Sequence, residues 1–107
     1  MAKLYHNVTG STGVEVELLP AGSNVGRIGS ICVTNSSSSV ISTVGFRLYK
    51  DATSETFQIQ AKAVIRVGVT MIIDDQALLN FDNSRKGFGL FAVVGSDTVC
   101  DILINTI

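Results

Sequence analysis

The chain has 107 residues, 16% charged and 46% hydrophobic, with a formal net charge of −1. That is enough for one domain and too little basic charge for a general nucleic-acid footprint. The charged fraction lies below the roughly 25% of an ordinary soluble domain, so Ser, Thr, Asn and Gly must cover the surface or part of it must be buried against partners.

Read in chain order, residues 1–12 (MAKLYHNVTGST) form an expected extended N-terminal arm. Such an arm can add a strand to a neighbour's sheet, which makes Lys3, Leu4, Tyr5, His6 and Asn7 candidate partner contacts. The opening residues lack the apolar region of a signal peptide, and no apolar run reaches the roughly 18 residues of a membrane-spanning helix. No membrane partner is therefore expected, and the triplets at Asn7 and Asn35 read as chance matches to the glycosylation pattern.

Beyond the turn at Gly10–Gly13, the dominant signal is period two. Val14, Val16 and Leu18 alternate with Glu15 and Glu17, as in a strand with one wet face. Pro20 to Gly26 reads as a turn. Ile31-Cys32-Val33 is apolar on both faces, which suits a central strand or one that touches a partner. Four serines, Ser36 to Ser39, then form the tip of an expected hairpin, their hydroxyls bonding to nearby backbone.

Val44, Phe46 and Leu48 alternate with Thr43, Gly45, Arg47 and Tyr49, which places Tyr49 on the outward face as a further candidate contact. After the turn at Asp51–Ser54, Phe57 and Ile59 alternate with glutamines. Ala61, Ala63, Ile65 and Val67 continue the alternation, and Val69, Met71 and Ile73 follow Gly68. Asp74 to Leu79 suits either one helical turn capped by Asp74 or Asp75, or a loop. Turns at Asp82–Arg85 and Gly95–Asp97 bracket a strand through Phe88, Leu90, Ala92 and Val94. Ile102-Leu103-Ile104 is again apolar on both faces. Strands at intervals of about 8 to 12 residues indicate a single all-β domain, an antiparallel β-sandwich, with the jelly roll as one form it can take. Its expected core is Val16, Leu18, Ile31, Val33, Val44, Phe46, Leu48, Phe57, Ile59, Ile65, Met71, Ile73, Leu90, Ala92, Ile102 and Ile104.

Catalysis needs a nucleophile, a base and an orienting group. His6 is the one histidine, no serine sits in a nucleophile elbow, and Cys32 and Cys100 lie inside apolar runs. The cysteines read as buried free thiols, with a cross-strand disulfide as the alternative. The segment IIDDQALLNFDNSR lacks the spacing and glycine of a calcium loop. Gly26-Arg27-Ile28-Gly29 lacks the third glycine of a phosphate loop. The sequence therefore points to no enzyme, cofactor or metal. A receptor- or glycan-binding module would use the loops at Ser36–Ser39 and Asp82–Lys86.

The order of elements resembles the small structural proteins of tailed bacteriophages. The likeness rests on a strand ending in V-T-N (Ile31 to Asn35), a strand VGFRLYKD (Val44 to Asp51) and a polar strand (Thr56 to Gln60). It continues through VIRVGVTMIIDD (Val64 to Asp75) and Leu79 to Asn83, so that it spans Ile28 to Ile104. Where the phage pattern has Ile-Pro-Ala-Gly, this chain has Ile65-Arg66-Val67-Gly68. The resemblance implies a β-sandwich virion component, foremost a capsid decoration (cement) protein and otherwise a tail or connector component. It further implies the major capsid protein as partner, a homo-oligomer with a trimer favoured, and a place on the capsid surface after synthesis in the host cytoplasm.

Overall fold

The computed structural model describes residues 3–9, 15–23, 27–50, 53, 55–95 and 98–106. The turn expected at Gly10–Gly13, Val14, residues 24–26, most of the turn at 51–54 and residues 96–97 lie outside them. The strands are β1 (Lys3–Thr9), β2 (Glu15–Leu19), β3 (Ile28–Asn35), β4 (Ser42–Lys50), β5 (Glu55–Ile65), β6 (Thr70–Ile73), β7 (Gly89–Val94) and β8 (Val99–Thr106). A single helical turn, α1 (Gln76–Leu79), follows β6.

Two four-stranded antiparallel sheets pack face to face. Sheet A has the order β1-β8-β3-β6 and sheet B the order β2-β7-β4-β5. The pairs β1·β8, β2·β7, β3·β6 and β4·β5 are nested. The first half of the chain thus runs back along the second as one long hairpin, rolled so that its segments alternate between sheets. That is jelly-roll topology.

Alternation decides which side chains enter the core. Ile31 sits between Ile73 and Ile104, and Val33 between Met71 and Ile102. From sheet B, Phe46 lies beside Ala92, and Val44 beside Val94. Most of the expected core is buried; Val16, Leu48, Ile59 and Met71 are half-buried against it. Val8, Leu19, Ile28, Leu79, Val94 and Cys100 complete the interior.

Several expectations are corrected. Phe57 is 47% exposed, because β5 is the edge strand of sheet B and no strand among the described residues pairs with its outer flank. Its ring instead meets Phe88 edge-on at 5.7 Å between centroids. Residues 3–9 are not a free arm: they pair along their whole length with β8, from Lys3 opposite Asn105 to Thr9 opposite Val99. Residues 1–2 and 10–12 of that arm lie outside the described residues. The serine segment is not a hairpin tip, since β3 and β4 belong to different sheets. It is an arch between sheets. Cys32 is half-buried on the outer side of sheet A, whereas Cys100 is buried inside, and both are free thiols. They project from opposite faces of one sheet, so no disulfide joins them.

Local chemistry shapes the joints. The Asp75 carboxylate caps α1 by accepting from Ala77 N at 2.9 Å, as the aspartate pair suggested. Gln76 Nε2 donates to the carbonyls of Ile28 and Gly29, next to the irregularity between Ile28 and Ser30 in the β3·β8 ladder. The β4·β5 ladder is bulged twice around Phe46. There a Cβ on Gly45 would collide with the Ala61 carbonyl oxygen, so only glycine fits.

Asn35 is 1% exposed and stands where β3 leaves sheet A. Its Nδ2 donates to Val40 O at 3.0 Å and Ile65 O at 2.9 Å, and its Oδ1 accepts from Ser37 N at 2.9 Å. Its backbone donates to Val69 O and accepts from Gly68 N. Removing the side chain strands buried polar groups at about 1–3 kcal/mol each. Asn35→Ala is expected to lose about 3 kcal/mol in urea unfolding. Asn35→Asp, which turns a carboxylate toward two carbonyls, should lose more. Wild-type stability in either variant would show that the joint carries no load.

The thiols give a second check. Burial, with a smaller contribution from the neighbouring Asp101 charge, pushes the Cys100 thiol up to about 11. Native protein at neutral pH should react with a thiol reagent at Cys32, and Cys100 should react only on unfolding. Equal labelling rates at the two sites would contradict this placement.

Candidate interaction surfaces

The outer face of sheet A is built by register. Tyr5 lies opposite Leu103, Leu103 opposite Cys32, and Cys32 opposite Ile72, so one apolar row crosses all four strands. The ends of that row are open: Tyr5 is 72% and Ile72 59% exposed.

The neighbouring row is polar and internally paired. Asn7 Nδ2 donates to Asp101 Oδ1 at 2.6 Å, and the hydroxyls of Thr34 and Thr70 share a hydrogen bond of 2.8 Å. On the other side Asn105 Nδ2 donates to Ser30 Oγ at 2.9 Å. A broad open depression of about 590 Å³ lies over the row, with Tyr5, Cys32, Thr70 and Leu103 among its walls. Its polar side chains are thus engaged with one another, and the exposed Asp101 carboxylate is the group that a docking partner would have to meet with a donor.

The outer face of sheet B is more highly charged. Glu17 lies opposite Phe91, Phe91 opposite Arg47, and Arg47 opposite Gln58. Arg47 Nη2 pairs with Glu15 Oε2. Tyr49 and Phe91 meet edge-on, with centroids 5.9 Å apart and ring planes at 73°. They line an open hollow of about 310 Å³ together with Glu17, Pro20, Ala21 and Gly89.

The structure separates the sequence-based candidates. Tyr5 and Asn7 project from the outer face of sheet A, whereas Tyr49 is on sheet B, so the sandwich stands between them. His6 is half-buried, opposite the core residue Ile102. Lys3 and Leu4 take their places in β1 opposite Asn105 and Ile104. The two loops considered for glycan binding are at opposite ends. Ser36 bonds to Val99, beyond the last residue of β3, and Ser37 Oγ accepts from Ser39 N and Val40 N. The segment 82–88 is tied through Asn83 to Pro20 and Gly22, on the link leading into β3. There Asp82 accepts from Ser84 N at 2.9 Å, which holds its carboxyl below the ordinary carboxylate value. The two loops therefore cannot form one site.

The tripeptides that are apolar on both faces signal the sheet A row. In Ile31-Cys32-Val33 and Ile102-Leu103-Ile104 the outer residues are core and the central one belongs to the row. Met71-Ile72-Ile73 is an apolar run of the same kind, with Ile73 in the core, Met71 half-buried against it and Ile72 at the end of the row. No His, Cys, Asp and Glu cluster with the makings of a metal site occurs among the described residues, nor is any of their helices long and apolar enough to cross a membrane.

Residues held for folding cost stability when truncated, whereas exposed ones cost within about 0.5 kcal/mol. Tyr5→Ser and Ile72→Ser should therefore leave the urea midpoint nearly unchanged, while Ile104→Ala should lower it by about 2–5 kcal/mol equivalent. A large loss from either serine variant would make the row a part of the fold and not a free surface.

No protein-family model matches this chain, and no curated protein is significantly similar to it.

Proposed function

We propose that this is a non-enzymatic virion structural protein, a capsid decoration (cement) protein that docks the outer face of sheet A on the head lattice. The partner in this reading is the major capsid protein. The protein is made in the host cytoplasm and ends on the capsid surface as a homo-oligomer, with a trimer favoured.

The observation that carries the reading is the exposed apolar row Tyr5–Leu103–Cys32–Ile72, flanked by polar side chains already paired with one another. Apolar burial contributes about 25 cal/mol per Å². A face one small sheet wide is modest against the roughly 800 Å² per partner of a stable complex. Such a surface gains strength from repetition, since linked copies on a lattice bind with avidity well beyond one contact. The jelly roll, an architecture shared by viral capsid domains and by lectins, is compatible with this role and does not select it.

The test is the copy number of the chain in gradient-purified particles from its source, measured by quantitative mass spectrometry. Copies comparable to the major capsid subunit are expected. A handful per particle would move the protein to the tail or connector, and absence would remove the virion reading. In the same assay Ile72→Lys, which puts a charge where water must leave, should reduce particle-bound copies about tenfold or more.

A further inference from the structure

The hollow on sheet B is unlike the sheet A face in shape and in charge. Its floor is Gly89, where a Cβ would stand only 3.1 Å from Leu19 O and 3.3 Å from Ala21 N. The close approach of the β2 end and the following turn therefore leaves glycine there and keeps the floor bare. Two walls are aromatic, the Tyr49 and Phe91 rings set at 73°. A further wall is Glu17, an exposed carboxylate without a salt-bridge partner among the described residues.

Charge and shape select the ligand. Arg47, across Phe91 from Glu17, is engaged by Glu15. Glu15 pairs with Arg47, which leaves the Glu17 carboxylate as the charged group among the residues that line the hollow. Aromatic faces attract cations through their quadrupole, and most strongly where water is displaced. A flat sugar ring stacks on one open aromatic face. Two rings nearly at right angles form a corner, which suits a compact ion with a ring on each side and a carboxylate beside it.

We infer that the Tyr49–Phe91–Glu17 hollow binds a small organic cation, an alkylammonium or guanidinium head. It does not rest on the virion reading, because the hollow lies on the opposite sheet from the proposed capsid-docking face. The cation is either a free quaternary ammonium compound or the head of a Lys or Arg side chain on a partner protein.

The test uses the purified full chain at low ionic strength, followed by 1H–15N correlation spectra. It is titrated with choline chloride, with the neutral isostere 3,3-dimethyl-1-butanol and with sodium chloride. Choline should give saturable shifts at the amides of Glu17, Ala21, Gly89 and Phe91, and the other two should not. Glu17→Gln and Phe91→Leu, each shown to be folded by its own spectrum, should weaken choline binding roughly fivefold. Blocked lysine and arginine amides distinguish the sources: tighter binding than choline marks a partner's side chain, and weaker binding marks a free ammonium compound. Equal shifts with the isostere or with sodium chloride would overturn the inference. So would no saturable shift by about 50 mM, where even a weak millimolar site would be filled, or unchanged binding in folded Glu17→Gln.

Discussion

Asn35 carries the constraint on which the rest depends. In a rolled hairpin the chain passes between sheets at every connection except the β4–β5 turn, and every crossing threatens to bury backbone groups without partners. Where β3 ends, one amide side chain answers Val40 O, Ile65 O and Ser37 N, while its own backbone engages Val69 and Gly68. The end of β3, the serine arch, the end of β5 and the turn into β6 meet at that residue. An apolar residue of the same size would seal the core equally well and leave the crossing unsatisfied. The serines make sense in this light. Ser37 Oγ accepts from the two amides that turn the arch toward β4, and Ser36 reaches Val99 across the gap to β8.

With the core closed, the two outer faces divide the remaining chemistry. Sheet A carries an apolar row between polar rows whose side chains bond to one another, the Asp101 carboxylate among them. Sheet B carries Glu15, Glu17 and Arg47 around the ring of Phe91, with the Tyr49 corner beside it. On sheet A the Asp101 carboxylate accepts from Asn7, whereas Glu15, Glu17 and Arg47 lie together on sheet B. The sandwich holds the faces apart, so substitutions on one can be read without disturbing the other.

The edges follow the same economy. β5 is an eleven-residue edge strand, long enough to template unwanted pairing. Two bulges against β4 break its regularity, and Lys62 lies within the bulged stretch. At one edge of sheet A, β6 spans only Thr70–Ile73. Bulges, charge and brevity are ways of blunting an edge.

Much of this fold was legible in the residues. Strict alternation marked most strands and most of the core, the Asp74–Asp75 pair offered a helix cap without saying which of the two would serve, and the paired apolar tripeptides marked strands with apolar residues on both faces. Those signals are local, written in neighbours along the chain. Pairing partners are not local. Sequence could not say that β3 and β4 part to different sheets, that residues 3–9 lie along β8, or that Cys32 and Cys100 face opposite ways. It placed Phe57 in the core because alternation records the face of a strand but not whether a neighbour covers its flank. The candidate surfaces depend still more on assembly. Tyr5, Leu103, Cys32 and Ile72 become one row, and Glu17, Tyr49 and Phe91 one hollow, only when register brings together strands far apart in sequence. The sequence by itself determined the periodicity and the polarity of each strand. The tertiary structure decided which strands became neighbours, because side-chain rows form across the ladder and not along the chain.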